Sequence, residues 1–217
     1  MFRILIVEDE PGTSEKLQSR LSEKIPEAQV DAAPTVRRAQ ELIEEAKKER
    51  EFYHAFVLDI RLPRDVGEPP LFDETLCKTI RAAMPKAIVA HISFFLDDNV
   101  VQDHMERVHY EQIDRSFRLS KRDVEWFPKL EGKLRSFLYS ISVEEQLDGL
   151  FGASELPEFE PRGRHESNSG RSVTHDLADL SRDISAHWRY LDPDLQERIK
   201  KFFDVTIDGD EVIVSEF

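Results

Sequence analysis

The stretch FRILIVEDE, residues 2–10, decides the fold of this chain. Its apolar run Ile4–Val7 is typical of a strand that is covered on both faces of a sheet. The run ends abruptly in the adjacent carboxylates Glu8 and Asp9, with Glu10 behind them. Open parallel sheets bind ligands at the carboxyl ends of their strands. The stretch therefore predicts a buried strand whose end places negative charge at a ligand-binding edge.

A second apolar strand, AFVLD, ends in Asp59. Crowded carboxylates repel one another, and a hard cation bound by oxygen ligands is the usual compensation. Glu8, Asp9 and Asp59 therefore predict a pocket for Mg²⁺ at the carboxyl edge of the sheet. Ordinary surface carboxylates at strand ends are the alternative interpretation.

Strand and helix patterns alternate along the first part of the chain. Strands are predicted at residues 2–7, 28–33, 52–59, 87–92 and 111–117, and helices at residues 13–24, 35–49, 73–84, 99–108 and 122–140. Alternation at this spacing predicts an α/β fold with a parallel sheet between helices. Right-handed crossovers place all carboxyl ends of the strands at one edge, where the acidic side chains would meet.

The character of the sequence changes after the last of these helices. Residues 142–172 contain a stretch rich in Gly, Pro, Ser and charge, which predicts a linker. Helical spacing of apolar residues then returns, Pro193 suits the first turn of a second helix, and Asp208-Gly209 indicates a hairpin. The predicted domains are residues 1–141, a linker at 142–172, and a small module of two helices and a hairpin at 173–217.

The composition of the chain limits the classes of partner that we expect it to bind. The net charge of −14 over 217 residues argues against a nucleic-acid partner and against an anionic membrane surface. No apolar stretch approaches the length needed to span a bilayer. The single cysteine, Cys77, excludes an internal disulfide and a cysteine metal cluster. We therefore expect a cytoplasmic protein with no nucleic-acid partner and no membrane partner.

Three motifs together resemble a known family. ILIVEDE, then FVLDIRLP, then AIVAHIS followed by a fifth βα unit are similar to the receiver domain of bacterial response regulators. The resemblance covers roughly residues 1–140. It implies a flavodoxin-like, doubly wound, five-stranded parallel sheet. It also implies that a histidine kinase or phosphotransfer protein donates a phosphoryl group to an aspartate, with Mg²⁺ as cofactor.

The resemblance implies a role for each candidate site residue. Asp59 matches the phosphoacceptor, and Glu8 and Asp9 match the acidic pair that binds Mg²⁺. The backbone carbonyl of Arg61 matches the usual third protein ligand of the metal. Ser93 matches the hydroxyl residue that turns toward the phosphoryl group after transfer.

The chain departs from the family pattern in three places. The family has a lysine followed by proline after the fifth strand, and Arg115 and Ser116 align with these two residues. Arginine carries the charge but is bulkier and forked, and Lys121 is an alternative source of an ammonium group. Phe94 stands where the family has a small residue, and its ring would crowd the acceptor. The loop after the acceptor, RLPRDVGEPPLFD, is longer than in the family.

The predicted function is a response regulator whose output is protein–protein contact, not an enzyme. The alternative is a receiver-like adaptor that phosphorylation does not switch, which Phe94 and Arg115 motivate. An aspartyl-phosphate phosphatase would need a general acid two residues beyond the nucleophile, where Arg61 cannot donate a proton at neutral pH. The acidic C-terminal module lacks a basic recognition helix. We expect it to bind a protein partner, to dock on the receiver, or to form a homodimer.

Overall fold

The computed structural model describes residues 2–72, 75–103, 116–151, 173–209 and 211–216. The chain divides into two compact units, Met1–Leu134 and Arg135–Phe217. Residues 152–172 of the predicted linker lie outside the described residues, whereas residues 142–151 belong to a helix.

The first unit alternates strands and helices in the predicted order. Its strands are β1 (Phe2–Val7), β2 (Ala28–Ala33), β3 (Ala55–Asp59), β4 (Arg61–Leu62), β5 (Leu71–Phe72), β6 (Ile88–Ser93) and β7 (Ser116–Ser120). Its helices are α1 (Pro11–Lys24), α2 (Val36–Glu49), α3 (Thr75–Ala83) and the first part of α4 (Trp126–Phe151), and residues 99–103 are also helical.

The main sheet is parallel throughout, in the order β2-β1-β3-β6-β7. This is the flavodoxin-like, doubly wound order, so the predicted fold class is confirmed. Strands β1 and β3 are neighbours in register, with Val7 beside Leu58. The residues that follow, Glu8 and Asp59, therefore emerge side by side at the carboxyl edge.

The central strands are buried on both faces, as their continuous apolar runs predict. Leu5 and Val7 of β1 and Phe56 of β3 pack with Ile43 of α2 and Ile80 of α3 in one core cluster. Each of these side chains is fully buried. Burial of one large apolar side chain stabilises the fold by about 1.5–3 kcal/mol, so this cluster fixes the strands that carry the acidic residues.

The last strand of the sheet differs from its predicted position. The sequence predicts a strand at residues 111–117, whereas β7 covers Ser116–Ser120. Residues 104–115 lie outside the described residues. Leu119 is buried in β7, and pairing with β6 sets the register, Leu119 opposite Ile92. As a result, Lys121 follows the strand directly.

Helix α4 is longer than predicted. The sequence predicts a helix at residues 122–140, and α4 spans Trp126–Phe151. Its later start fits Pro128, because proline is tolerated in the first turn of a helix. Beyond the predicted end, Ile141, Val143 and Leu147 are buried, and this packing extends the helix.

The second unit contains the predicted helices and hairpin. They are α5 (Val173–His187), α6 (Pro193–Ile199), β8 (Phe203–Asp208) and β9 (Glu211–Glu216). Leu180, Ile184 and Trp188 are buried, which agrees with the helical spacing of the apolar residues. Gly209 has a φ of 60° at the turn between β8 and β9, a conformation that glycine adopts without strain.

Among the described residues, no helix has both the length and the apolar character that crossing a membrane requires.

Candidate functional site

Three carboxylates meet at the carboxyl edge of the sheet. Glu8 and Asp9 follow β1, Asp59 ends β3, and one oxygen from each lies within 4.8 Å of the other two. Glu8 is buried, and the other two residues are partly exposed. We call these residues the acidic cluster. Its donors are all oxygen atoms, which matches the preference of Mg²⁺ and fits the cation that the sequence predicts.

The ammonium group of Lys121 lies between two of these carboxylates. Nζ of Lys121 is 2.6 Å from Oε2 of Glu8 and 2.6 Å from Oδ2 of Asp59. The lysine side chain is only 2% exposed. A charge buried this deeply is costly unless it is paired, so the three charged groups depend on one another.

Burial and the neighbouring opposite charges shift the pKa values of Glu8 and Lys121 in opposite directions. Burial raises the pKa of Glu8 above its ordinary value, and the Lys121 ammonium opposes that effect only in part. For Lys121, burial alone would lower the pKa, but the Asp59 and Glu8 carboxylates outweigh it, and the pKa is raised. Lys121 therefore stays positively charged at neutral pH.

Arg61 lies beside the candidate acceptor through its backbone. Its N–H donates to Oδ1 of Asp59 over 3.4 Å, a long contact. The side chain is exposed, and its guanidinium lies 5.9 Å from the ring centre of Phe72. The structure therefore places the backbone of Arg61 next to the acidic cluster, and the metal-ligand role of its carbonyl stays a prediction.

Ser93 ends β6, the strand next to β3, and its side chain is buried. Its Oγ accepts a hydrogen bond from the backbone N–H of Phe95 at 3.0 Å. Its carbonyl accepts from the backbone N–H of Lys121 at 2.8 Å. The bond from Lys121 joins the ends of β6 and β7, so Ser93 and Lys121 are coupled through the backbone. The contact of Ser93 with a phosphoryl group stays a prediction.

A pocket of about 280 Å³ opens over Asp59. Its lining residues are Asp9, Asp59, Arg61, Pro70, Ser93, Phe94 and Phe95. The ring of Phe94 is 45% exposed and lies along the wall of the pocket. The sequence predicts that this ring crowds the acceptor, and the structure places it at the entrance to Asp59.

The cation at the acidic cluster is Lys121, which the sequence offers as the alternative to Arg115. Arg115 lies outside the described residues, and its predicted role stays a prediction. The ammonium that the structure places at the cluster belongs to Lys121. The signal that could have found it is the alternation of Phe117 and Leu119, which extends the strand to the residue before Lys121.

Comparisons with known proteins agree with the fold. No family model and no curated protein matches the chain. The signal receiver domain of an HD domain-containing protein from Pseudomonas fluorescens Pf-5 matches with a TM-score of 0.50 and 18% identity, over 67% of this chain and 92% of that chain. The signal receiver domain of a DNA-binding response regulator from Colwellia psychrerythraea 34H matches with a TM-score of 0.47 and 23% identity, over 64% of this chain and 98% of that chain. The chain therefore contains the fold of a signal receiver domain, and the resemblance is confirmed at the level of the fold.

One prediction from composition is wrong. The net charge of the chain argues against a nucleic-acid partner, but structures of DNA-binding regulators are among those that match. RcsB from Salmonella enterica serovar Typhimurium, solved bound to promoter rprA, matches with a TM-score of 0.42 and 18% identity, over 59% of this chain and 94% of that chain. Net charge sums the whole chain, whereas a nucleic acid contacts a local surface, so the sum does not exclude such a partner.

Proposed function

We propose that this protein is a response regulator whose receiver unit accepts a phosphoryl group on Asp59 in a reaction that requires Mg²⁺. A histidine kinase or phosphotransfer protein is the proposed donor. The observation that carries the proposal is the arrangement of one partly exposed carboxylate, Asp59, between two further carboxylates and a buried ammonium. This arrangement stands at the ligand-binding edge of a receiver fold.

The charges of the site suit a divalent cation. With its three carboxylates ionised, the acidic cluster together with the Lys121 ammonium would carry a net charge of −2. A bound Mg²⁺ would neutralise that charge and withdraw negative charge from the phosphoryl oxygens. Glu8, Asp9, Asp59 and the backbone carbonyl of Arg61 are the residues that would hold it.

The remaining residues have separable tasks. An oxygen of Asp59 attacks phosphorus as the nucleophile. Lys121 already contacts Oδ2 of Asp59, so its ammonium can balance negative charge that develops at the acceptor. Ser93 Oγ accepts from the Phe95 N–H, so its O–H remains able to donate to a phosphoryl oxygen. The proposed switch is a shift in the populations of the linked ends of β6 and β7.

A receiver-like adaptor without a phosphorylation switch is the second candidate. The observation that favours it is the contact of Lys121 with both Glu8 and Asp59, because an internal ammonium neutralises part of the acidic cluster without any metal. The two candidates differ in whether Mg²⁺ and a phosphodonor modify Asp59.

Intact-protein mass spectrometry separates the two candidates. The full chain is incubated with a small phosphodonor, with Mg²⁺ or with EDTA. The response regulator predicts one acyl-phosphate adduct that requires Mg²⁺ and is absent from Asp59→Asn. Asp65→Asn is the matched control, because Asp65 lies in the exposed loop that follows and is not in the acidic cluster. Equal adduct in wild type and Asp59→Asn, or none in either, would overturn the proposal.

A further inference from the structure

Two adjacent aromatic side chains line the pocket that contains Asp59. Phe94 and Phe95 follow β6 directly and are 45% and 46% exposed. The bond from the Phe95 N–H to Oγ of Ser93, at 3.0 Å, fixes the turn that presents them. The rings are therefore held at the pocket by the same residue that ends the strand.

A cation lies near each ring. Nζ of Lys121 is 5.4 Å from the ring centre of Phe94, and the guanidinium carbon of Arg122 is 5.6 Å from that of Phe95. Both distances fall within the range of cation–π attraction. These contacts limit the motion of the rings, so the wall they form is preorganised.

A short folded flap, residues 61–72, also contributes to the pocket through Arg61 and Pro70, and it is formed by β4, β5 and their connection. Its two strands are antiparallel, with Arg61 beside Phe72. The carbonyls of Pro63 and Arg64 accept hydrogen bonds from the N–H groups of Val36 and Arg37, at 3.0 and 3.1 Å.

These bonds anchor the flap at the start of α2. The first N–H groups of a helix have no partner within the helix, so the anchor satisfies donors that would otherwise be lost. Pro70 of the flap lines the same pocket as the rings. The pocket is thus lined by acidic, aromatic and apolar side chains together.

We propose that Phe94 and Phe95 determine which phosphodonor the protein uses, favouring a donor with a planar aromatic leaving group, such as the imidazole of phosphohistidine, over an acyl phosphate. The inference rests on the proposed phosphorylation of Asp59. An imidazole that leaves from phosphorus at Asp59 does so in a pocket that both rings line, where it can stack on an aromatic face. An acetate leaving group has no aromatic face and loses this contact.

The same bond forms with both donors, and a different bond to phosphorus breaks. An oxygen of Asp59 forms a bond to phosphorus in both reactions. With phosphoimidazole the N–P bond breaks, its electron pair stays on nitrogen, and the ring leaves as neutral imidazole once it has taken up one proton. With acetyl phosphate the O–P bond breaks and acetate leaves with the electron pair. Neither reaction needs an oxidant or a reductant.

The test compares the two donors in each variant. Second-order rate constants for adduct formation on the full chain are measured with Mg²⁺ and either phosphoimidazole or acetyl phosphate. In Phe94→Leu and in Phe95→Leu, we expect the ratio of the phosphoimidazole to the acetyl phosphate rate constant to fall about three- to tenfold. Phe94→Tyr keeps the aromatic face and should retain the wild-type ratio.

Phe52→Leu is the matched control, because Phe52 is 51% exposed and precedes β3 at the other end of that strand. Its ratio should equal that of wild type. An unchanged ratio in both leucine variants of the wall, or an equal loss of rate with both donors, would overturn the selectivity while leaving the phosphorylation of Asp59 intact. Absence of any adduct in wild type with either donor would overturn the proposed function itself, and with it this inference.

Discussion

Nζ of Lys121 lies 2.6 Å from Oδ2 of Asp59, although the two residues are 62 positions apart in the sequence. The contact exists because β3, β6 and β7 are adjacent and parallel, so the residue after β7 returns to the end of β3. Glu8 completes the arrangement from β1. The Lys121 ammonium therefore contacts two of the three carboxylates that we also propose as metal ligands.

Removal of this ammonium should weaken the metal-free protein. In Lys121→Met, Glu8 and Asp59 lose their buried partner, and we expect the free energy of unfolding in EDTA to fall by about 3 kcal/mol. Urea unfolding in EDTA and in Mg²⁺ measures the effect. Mg²⁺ should restore more stability to Lys121→Met than to wild type, because the cation replaces the missing charge. An equal effect of Mg²⁺ on both proteins would contradict a shared site.

Substitution of Asp9 should weaken Mg²⁺ binding without lowering the stability of the metal-free protein. Its carboxylate contributes to the acidic cluster, and the neutral amide of Asp9→Asn relieves repulsion with Glu8 and Asp59 while it removes a metal ligand. We expect calorimetric titration to show Mg²⁺ affinity at least about tenfold weaker, a loss of about 1.4 kcal/mol or more. The melting temperature in EDTA should stay equal or rise. Unchanged Mg²⁺ affinity would exclude Asp9 as a ligand.

The ion pair between Arg3 and Asp31 should make stability depend on pH. Burial would raise the pKa of Asp31, but hydrogen bonds from Arg3, Tyr53 and Gln29 outweigh it, and the pKa is lowered. A carboxylate with a lowered folded-state pKa stabilises the protein above its unfolded pKa, near 3.9, and that contribution is lost as the pH falls through the folded value.

Urea unfolding at several pH values tests this dependence. We expect Asp31→Asn to be less stable than wild type at pH 7, and the difference to shrink as the pH falls below roughly 4. Asp97→Asn is the control, since Asp97 is exposed and lies in a turn. A difference that grows toward acid would contradict the assigned direction of the Asp31 pKa.

The stability of the start of α2 should depend on the hydrogen bond that the Thr35 side chain accepts there. Thr35 is buried, and its hydroxyl accepts from the backbone N–H of Arg38 at 3.1 Å. We expect Thr35→Ala to lower the free energy of unfolding by about 1 kcal/mol, whereas Thr35→Ser should keep most of it. Equal losses in both variants would show that packing of the methyl group, not the cap, stabilises this position.

Strand ends could be predicted from the sequence, and strand register could not. Glu8, Asp9 and Asp59 each follow a continuous apolar run, so parallel topology alone brings them together. The end of β7 depends on which residues pair with β6, and a short strand with little apolar content does not reveal that pairing. For this reason the sequence favoured Arg115, while the structure places Lys121 at the cluster.

The two shortest strands of the first unit, β4 and β5, could not be predicted for a related reason. The strands β4 and β5 have two residues each, too few for any periodic pattern. The sequence showed only that the loop after Asp59 is long. Its folding into a flap depends on the unpaired N–H groups at the start of α2, which become visible only when the helix and the loop are placed together.

The most direct measurement is to locate the phosphoryl group on the chain. The full protein is incubated with Mg²⁺ and phosphoimidazole, reduced with borohydride, digested and sequenced by tandem mass spectrometry. Phosphorylation as proposed predicts that residue 59 alone is converted to the reduced derivative, and that EDTA prevents the conversion. Reduction at another carboxylate, or adduct formation that persists in EDTA, would contradict a magnesium-dependent phosphoacceptor at Asp59.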